Sequence, residues 1–129
     1  EFIEHPNFMK VGMSWDVRKA MTFCQLANVV VGQETGLLNS VSFEKSVRKV
    51  VLMTHSSKEN LTRDWPNTAT MTGNVPCYPC HRLLYNWSDC TQSQVTKAAA
   101  CQTAISVSDV MREIEVAITE HAQRLHAVA

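Results

Sequence analysis

A chain of 129 residues, 45% hydrophobic and 19% charged, has the length of one domain. It is apolar enough to build a core without staples and too apolar for a disordered segment. Twelve Lys and Arg balance twelve Asp and Glu at a sequence pI near 7.2, which argues against a dedicated nucleic-acid binder and a polybasic membrane anchor.

The opening Glu1-Phe2-Ile3-Glu4-His5-Pro6 shows no basic region followed by an apolar one, so no signal peptide is expected, as in a mature chain. From Ser14 onward, Val17, Met21, Cys24, Ala27 and Val31 recur at helical spacing, widened by Ala20, Phe23 and Val30. Ser14 suits the N-cap, and Gly32 and Gly36 suit the stop. Cys24 on that stripe reads as a buried small hydrophobe. A further helix is expected from Ser42 to about Thr54, with Phe43, Val47, Val50, Val51 and Thr54 facing the core. Lys45, Arg48 and Lys49 would then form its solvated side.

Residues 54–76 have loop composition, with a weak alternation around Thr68–Thr72 that suits a short strand. Leu83, Leu84, Trp87, Val95, Ala98 and Cys101 suggest a helix interrupted near Ser88-Asp89. The last helix is the clearest: Val107, Met111, Ile114, Ile118, His121, Leu125 and Val128 share one face, with Ser106 or Ser108 as cap. The expected fold is an all-α, roughly four-helix single domain over 1–129, with one long polar loop at about 54–76. No apolar run approaches the ~18 residues of a membrane span; Val29–Val31 and Val50–Met53 are among the longest.

The chemistry concentrates in Cys77-Tyr78-Pro79-Cys80-His81. C-x-x-C-H is the attachment spacing of c-type haem. Two thiols one helical turn apart add to the two vinyl groups, and the following imidazole reaches the iron. Leu83, Leu84, Tyr85 and Trp87 follow and offer part of an apolar wall. By this motif of five residues the chain resembles the c-type cytochromes. The resemblance implies Cys77 and Cys80 as thioether sites, His81 as proximal iron ligand and haem c as cofactor. It also implies electron transfer or haem-based sensing in a periplasmic or equivalent extracytoplasmic compartment. The motif lies later in the chain than is usual for small c-type cytochromes and earlier than in the four-helix ones. The sixth ligand therefore stays open among His121, ranked first, Met111, His126, His55 and Met71.

The same residues have competing uses. Five cysteines cannot all pair internally, and four of them fall between 77 and 101. A secreted, disulfide-stapled helical domain that binds a protein or a small apolar ligand would use Cys77 and Cys80 with Cys24, Cys90 or Cys101. If residues 90–101 form one unbroken helix, Cys90 and Cys101 lie about 16 Å apart and cannot bridge each other. Asn60 and Asn86 head glycosylation sequons, about as many as chance allows. Cys77, Cys80, His81 and Cys90 have zinc-ligand chemistry without a second C-x-x-C pair. Pro76-Cys77-Tyr78-Pro79-Cys80 matches half of a zinc deaminase signature, but His55 is followed by Ser56-Ser57 rather than by the required H-x-E glutamate. A thiol oxidoreductase would use Cys77 and Cys80 directly, but it calls for a strand–helix–strand context that the preceding residues do not display.

The leading expectation is an extracytoplasmic, non-enzymatic haem protein. It would meet a redox partner protein or a protein receptor, bind no nucleic acid and insert in no membrane. Self-association through the last helix is a further expectation.

Overall fold

A computed structural model describes residues 6–12, 14–82 and 89–128. Its central feature is a three-stranded parallel sheet in the order β1-β2-β3. Helix α1 (Val17–Leu26) precedes β1 (Val29–Gln33), and α2 (Gly36–Ser40) lies on the crossover to β2 (Arg48–Leu52). Helix α3 (Lys58–Leu61) lies on the crossover to β3 (Thr68–Met71). After an irregular stretch come the short α4 (Ala100–Thr103) and the long α5 (Val107–Val128). The protein is therefore mixed α/β, and the expected all-α four-helix arrangement is corrected.

The correction has a physical cause. Val29, Val30, Val31, Val50 and Val51 are β-branched, which favours extended backbone. Parallel strands covered on both faces read as continuous apolar runs without alternation. Neighbouring valines supply accidental three- and four-residue spacings that mimic a helix end at β1 and a helix interior at β2. Pairing runs in register from Val29 opposite Arg48 to Gln33 opposite Leu52, and from Lys49 opposite Thr68 to Leu52 opposite Met71. The expected long loop is also corrected: it contains α3 and β3, and β3 covers most of the weak Thr68–Thr72 alternation.

The core gathers on β2. Val50, Val51 and Met53 are fully buried, and Leu38 of α2 packs with Val51 and Met53 against Val30, Leu61, Trp65 and Tyr78. Lys49, expected on a wet helix face, is instead 0% exposed. Its Nζ donates to the carbonyls of Glu44 at 2.6 Å and Val47 at 3.0 Å. Burial pushes its pKa below the usual lysine value. Cys24 of α1 is buried as expected, and burial pushes its thiol pKa up. The cap of α1 is Asp16 rather than Ser14: its carboxylate accepts from the Lys19 N–H at 2.9 Å.

Helix α5 forms over the expected residues, and Ser106 Oγ accepts from the Asp109 N–H at its start. The face it buries is only partly the expected one, with Ile114 and His121 half-buried. Ala117 is buried, whereas Val107, Met111 and Ile118 stay exposed. Half-buried Glu113 pairs with Arg48 of β2, and Arg48 also donates to Asn67 Oδ1 at 3.2 Å. Glu113→Ala is expected to cost about 1–2 kcal/mol, with a coupling to Arg48→Ala of about 1 kcal/mol in a double-mutant cycle. Urea unfolding measures both. Strictly additive losses would mean that α5 docks without help from the pair. Among the described residues no helix is long and apolar enough to cross a membrane.

Candidate functional site

The strands are parallel, so their carboxyl ends meet along one edge, where loops of an α/β sheet gather into binding sites. A cavity of about 960 Å³ lies at this edge, within the size range of small-molecule sites. Its floor includes Gln33 at the end of β1 and Thr54 and His55 just beyond β2. The loop after β3 contributes Cys77, Tyr78 and Cys80, the segment leading into α4 contributes Cys90, and α4 itself contributes Cys101.

Glu34, the residue after β1, organises the floor. Its side chain is only 4% exposed. One carboxylate oxygen, Oε1, accepts from the backbone N–H groups of Thr54 at 3.2 Å, His55 at 2.8 Å and Ser56 at 3.3 Å. The Thr54 hydroxyl also donates to it, and His55 Nδ1 lies 2.7 Å away. Burial pushes the Glu34 pKa up, but the donors from Thr54, His55 and Ser56 and the nearby imidazole outweigh it. The carboxyl therefore sits below its ordinary value. The end of β2 is thus bent around a carboxylate, and His55 is fixed by its Nδ1 while its ring borders the cavity.

The pentapeptide follows a turn closed by Tyr78 N–H to the Val75 carbonyl at 3.1 Å. It is irregular backbone with a cis Tyr78–Pro79 bond, and the thiols of Cys77 and Cys80 are therefore not placed on a helical turn. Cys77 is exposed and Cys80 half-buried, and both border the cavity. His81 is exposed in the left-handed region at φ 53°. Its N–H donates to the His55 carbonyl at 2.8 Å, and its Nδ1 lies 3.5 Å from Asn60 Nδ2. His81 does not border the cavity, whereas His55 does. Tyr78 packs on the core, and burial, followed by the charge of Glu34, pushes its phenol pKa up.

The expected wall residues Leu83, Leu84, Tyr85 and Trp87, and the sequon residue Asn86, lie outside the described residues. His121, the first-ranked sixth ligand, is half-buried on α5 and does not line the cavity. Met111 and His126 are exposed on the same helix, and Met71 is half-buried at the end of β3. Among the described residues no three His, Cys, Asp or Glu side chains form a group able to hold a metal ion.

The region before α4 departs most from the helical expectation. Residues 91–100 fold back as a hairpin: Ser93 N–H donates to the Ala98 carbonyl at 2.9 Å, and Ala100 N–H to the Thr91 carbonyl at 2.9 Å. Gln92 and Ala99 form an antiparallel bridge. The supposed 16 Å separation of Cys90 and Cys101 is thereby replaced by adjacency. Burial pushes the Cys101 thiol up, and the neighbouring Cys90 and Cys77 thiols add to the shift. Gly73, just past β3, permits α4 to lie close: a Cβ there would stand 2.0 Å from the Cys101 carbonyl oxygen. All five cysteines are free thiols.

Glu34 and Gly73 were not singled out from the sequence. Once Val29–Gln33 is read as a parallel strand, an acidic residue at its carboxyl end is the available signal for Glu34. No family model, no curated protein and no solved structure matches the chain.

Proposed function

We propose that this protein works through Cys77 and Cys80 as a thiol–disulfide redox module. The observation that supports this best is that both thiols are free and border one cavity at the carboxyl edge of a parallel sheet. The strand–helix–strand context missing from the sequence reading is supplied by β2, α3 and β3, which immediately precede the pair. Exposed Cys77 is the thiol positioned to meet a partner, and half-buried Cys80 the one to resolve the product. The Cys77 thiolate attacks a partner disulfide and forms a mixed disulfide, releasing one partner thiolate. Cys80, as its thiolate, then attacks the Cys77 sulfur and releases the second. The partner gains two electrons and its thiolates take up protons, while the pair ends as Cys77–Cys80 disulfide.

Tryptic cleavage after Arg63, Arg82, Lys97 and Arg112 separates peptide 64–82, with Cys77 and Cys80, from 83–97, with Cys90, and 98–112, with Cys101. The protein is equilibrated in glutathione buffers of graded potential, then alkylated and digested. Peptide 64–82 is expected to carry two alkyl groups at low potential and, reversibly, none at high potential, where its mass is about 2 Da below that of the free dithiol. Failure of that peptide to cycle at any potential would end the proposal, and bonds that persist under mild reduction would point to a stapled binding domain.

A second reading uses the same two thiols to anchor haem c, for electron transfer or sensing in an extracytoplasmic compartment. The cavity volume and the two thiols on its wall favour it. His81 does not fit the part the motif gives it, because its ring meets Asn60 and is not on the cavity wall. Intact mass separates the readings, since thioether-linked haem adds about 616 Da.

A further inference from the structure

We infer that Cys90 and Cys101 form a second dithiol that closes into a disulfide across the base of the 91–100 hairpin. The inference does not rest on the redox role of Cys77 and Cys80. It rests on backbone geometry. Thr91 and Ala100 face each other through the 2.9 Å bond from Ala100 N–H to the Thr91 carbonyl, one step outside the Gln92–Ala99 bridge. Cys90 immediately precedes this bonded pair and Cys101 immediately follows it, as the second residue of α4. The arms are about 4.5–5.5 Å apart at the Gln92–Ala99 bridge, and residues two steps beyond it start close to the window of about 4.4–6.8 Å between Cα atoms that a disulfide spans, with the first turn of α4 free to adjust.

The hairpin holds this arrangement by its own bonds. Lys97 N–H donates to the Ser93 carbonyl at 3.0 Å, and Ser93 Oγ accepts from the Val95 and Thr96 N–H groups, both at 3.3 Å. Both sulfur-bearing residues are half-buried and border the cavity, so a small oxidant reaches them through it. With a peroxide as oxidant, one thiolate attacks the O–O bond and becomes a sulfenic acid, releasing hydroxide. The other thiol displaces the sulfenic hydroxyl, which leaves as water. Two electrons pass from the two sulfurs to the peroxide, whose oxygens leave as two waters once protons are counted. The bond ties the arm before the hairpin to the first turn of α4, which itself rests on Gly73 at the end of the sheet. Oxidation therefore ties together two segments that border the cavity on the same side.

The full chain, wild type and Cys77→Ser/Cys80→Ser, is treated with stoichiometric hydrogen peroxide, alkylated and digested with trypsin. In both proteins peptides 83–97 and 98–112 are expected to appear joined, at their summed mass less about 2 Da. Cys90→Ser should leave Cys101 alkylated. Both peptides alkylated in the wild type, or 98–112 joined only to 64–82, would overturn the inference. Because the two dithiols fall in different peptides, failure of one is read independently of the other.

Discussion

Glu34→Ala is expected to destabilise the protein by about 3–5 kcal/mol, because several part-buried donors lose one shared acceptor at once, at about 1–3 kcal/mol for each donor left unsatisfied. The variant leaves three backbone N–H groups, those of Thr54, His55 and Ser56, and the Thr54 hydroxyl without their acceptor. It also frees the His55 ring, whose Nδ1 is held 2.7 Å from the carboxylate. Glu34→Gln keeps an acceptor oxygen and should cost less, about 2 kcal/mol. The pH dependence separates charge from shape. The folded-state pKa of Glu34 lies below the ordinary glutamate value. The stability it contributes is therefore fully present above about pH 4.5 and is lost as pH falls through the folded-state value. Urea unfolding of wild type and Glu34→Gln should converge in acid and diverge toward neutrality. A constant difference across that window would show that the carboxylate charge contributes nothing.

Gly73→Ala has the next largest expected effect, about 2–3 kcal/mol, from overpacking that cannot be relieved by a side-chain rotation. The new methyl group would meet the Cys101 carbonyl oxygen at 2.0 Å and the Ala104 Cβ at 3.0 Å, and the first of these is backbone. Either α4 or the end of β3 has to move. The local consequence is sharper than the global one: Cys101 should alkylate faster in the variant, while buried Cys24 should keep its wild-type rate. An unchanged Cys101 rate, with wild-type stability, would mean that α4 does not rest on this glycine.

The parts legible in the sequence were those set by one element's own periodicity. Helix α5 formed over the residues whose three- and four-residue spacing announced it, although the face it buries was set by the Arg48–Glu113 pair and Ala117 rather than by its largest apolar side chains. The alternation at Thr68–Thr72 marked β3 for the same local reason. The valines of β2 misled because burial on both faces erases alternation, and those of β1 because three consecutive valines carry no alternation to read. The site was half legible. Cys77 and Cys80 were identified by spacing, and both border the cavity. Glu34, His55 and the closeness of Cys90 to Cys101 depend on strands and a hairpin bringing distant positions together. Spacing along a presumed helix points the wrong way for such a pair.

Lys49 has a consequence that reaches past its own hydrogen bonds. In the native alignment its ammonium meets the Glu44 and Val47 carbonyls inside the protein. A shift of the central strand by one position along its neighbours would turn every side chain to the opposite face. The lysine would then carry its charge to the opposite face, out of the site in which it is fully buried, while Val50 and Val51 exchanged environments. Such a misaligned sheet loses far more than a valine or leucine at the same place would forfeit. A cation that contributes little to the correct structure thus works as a proofreading device against the incorrect one.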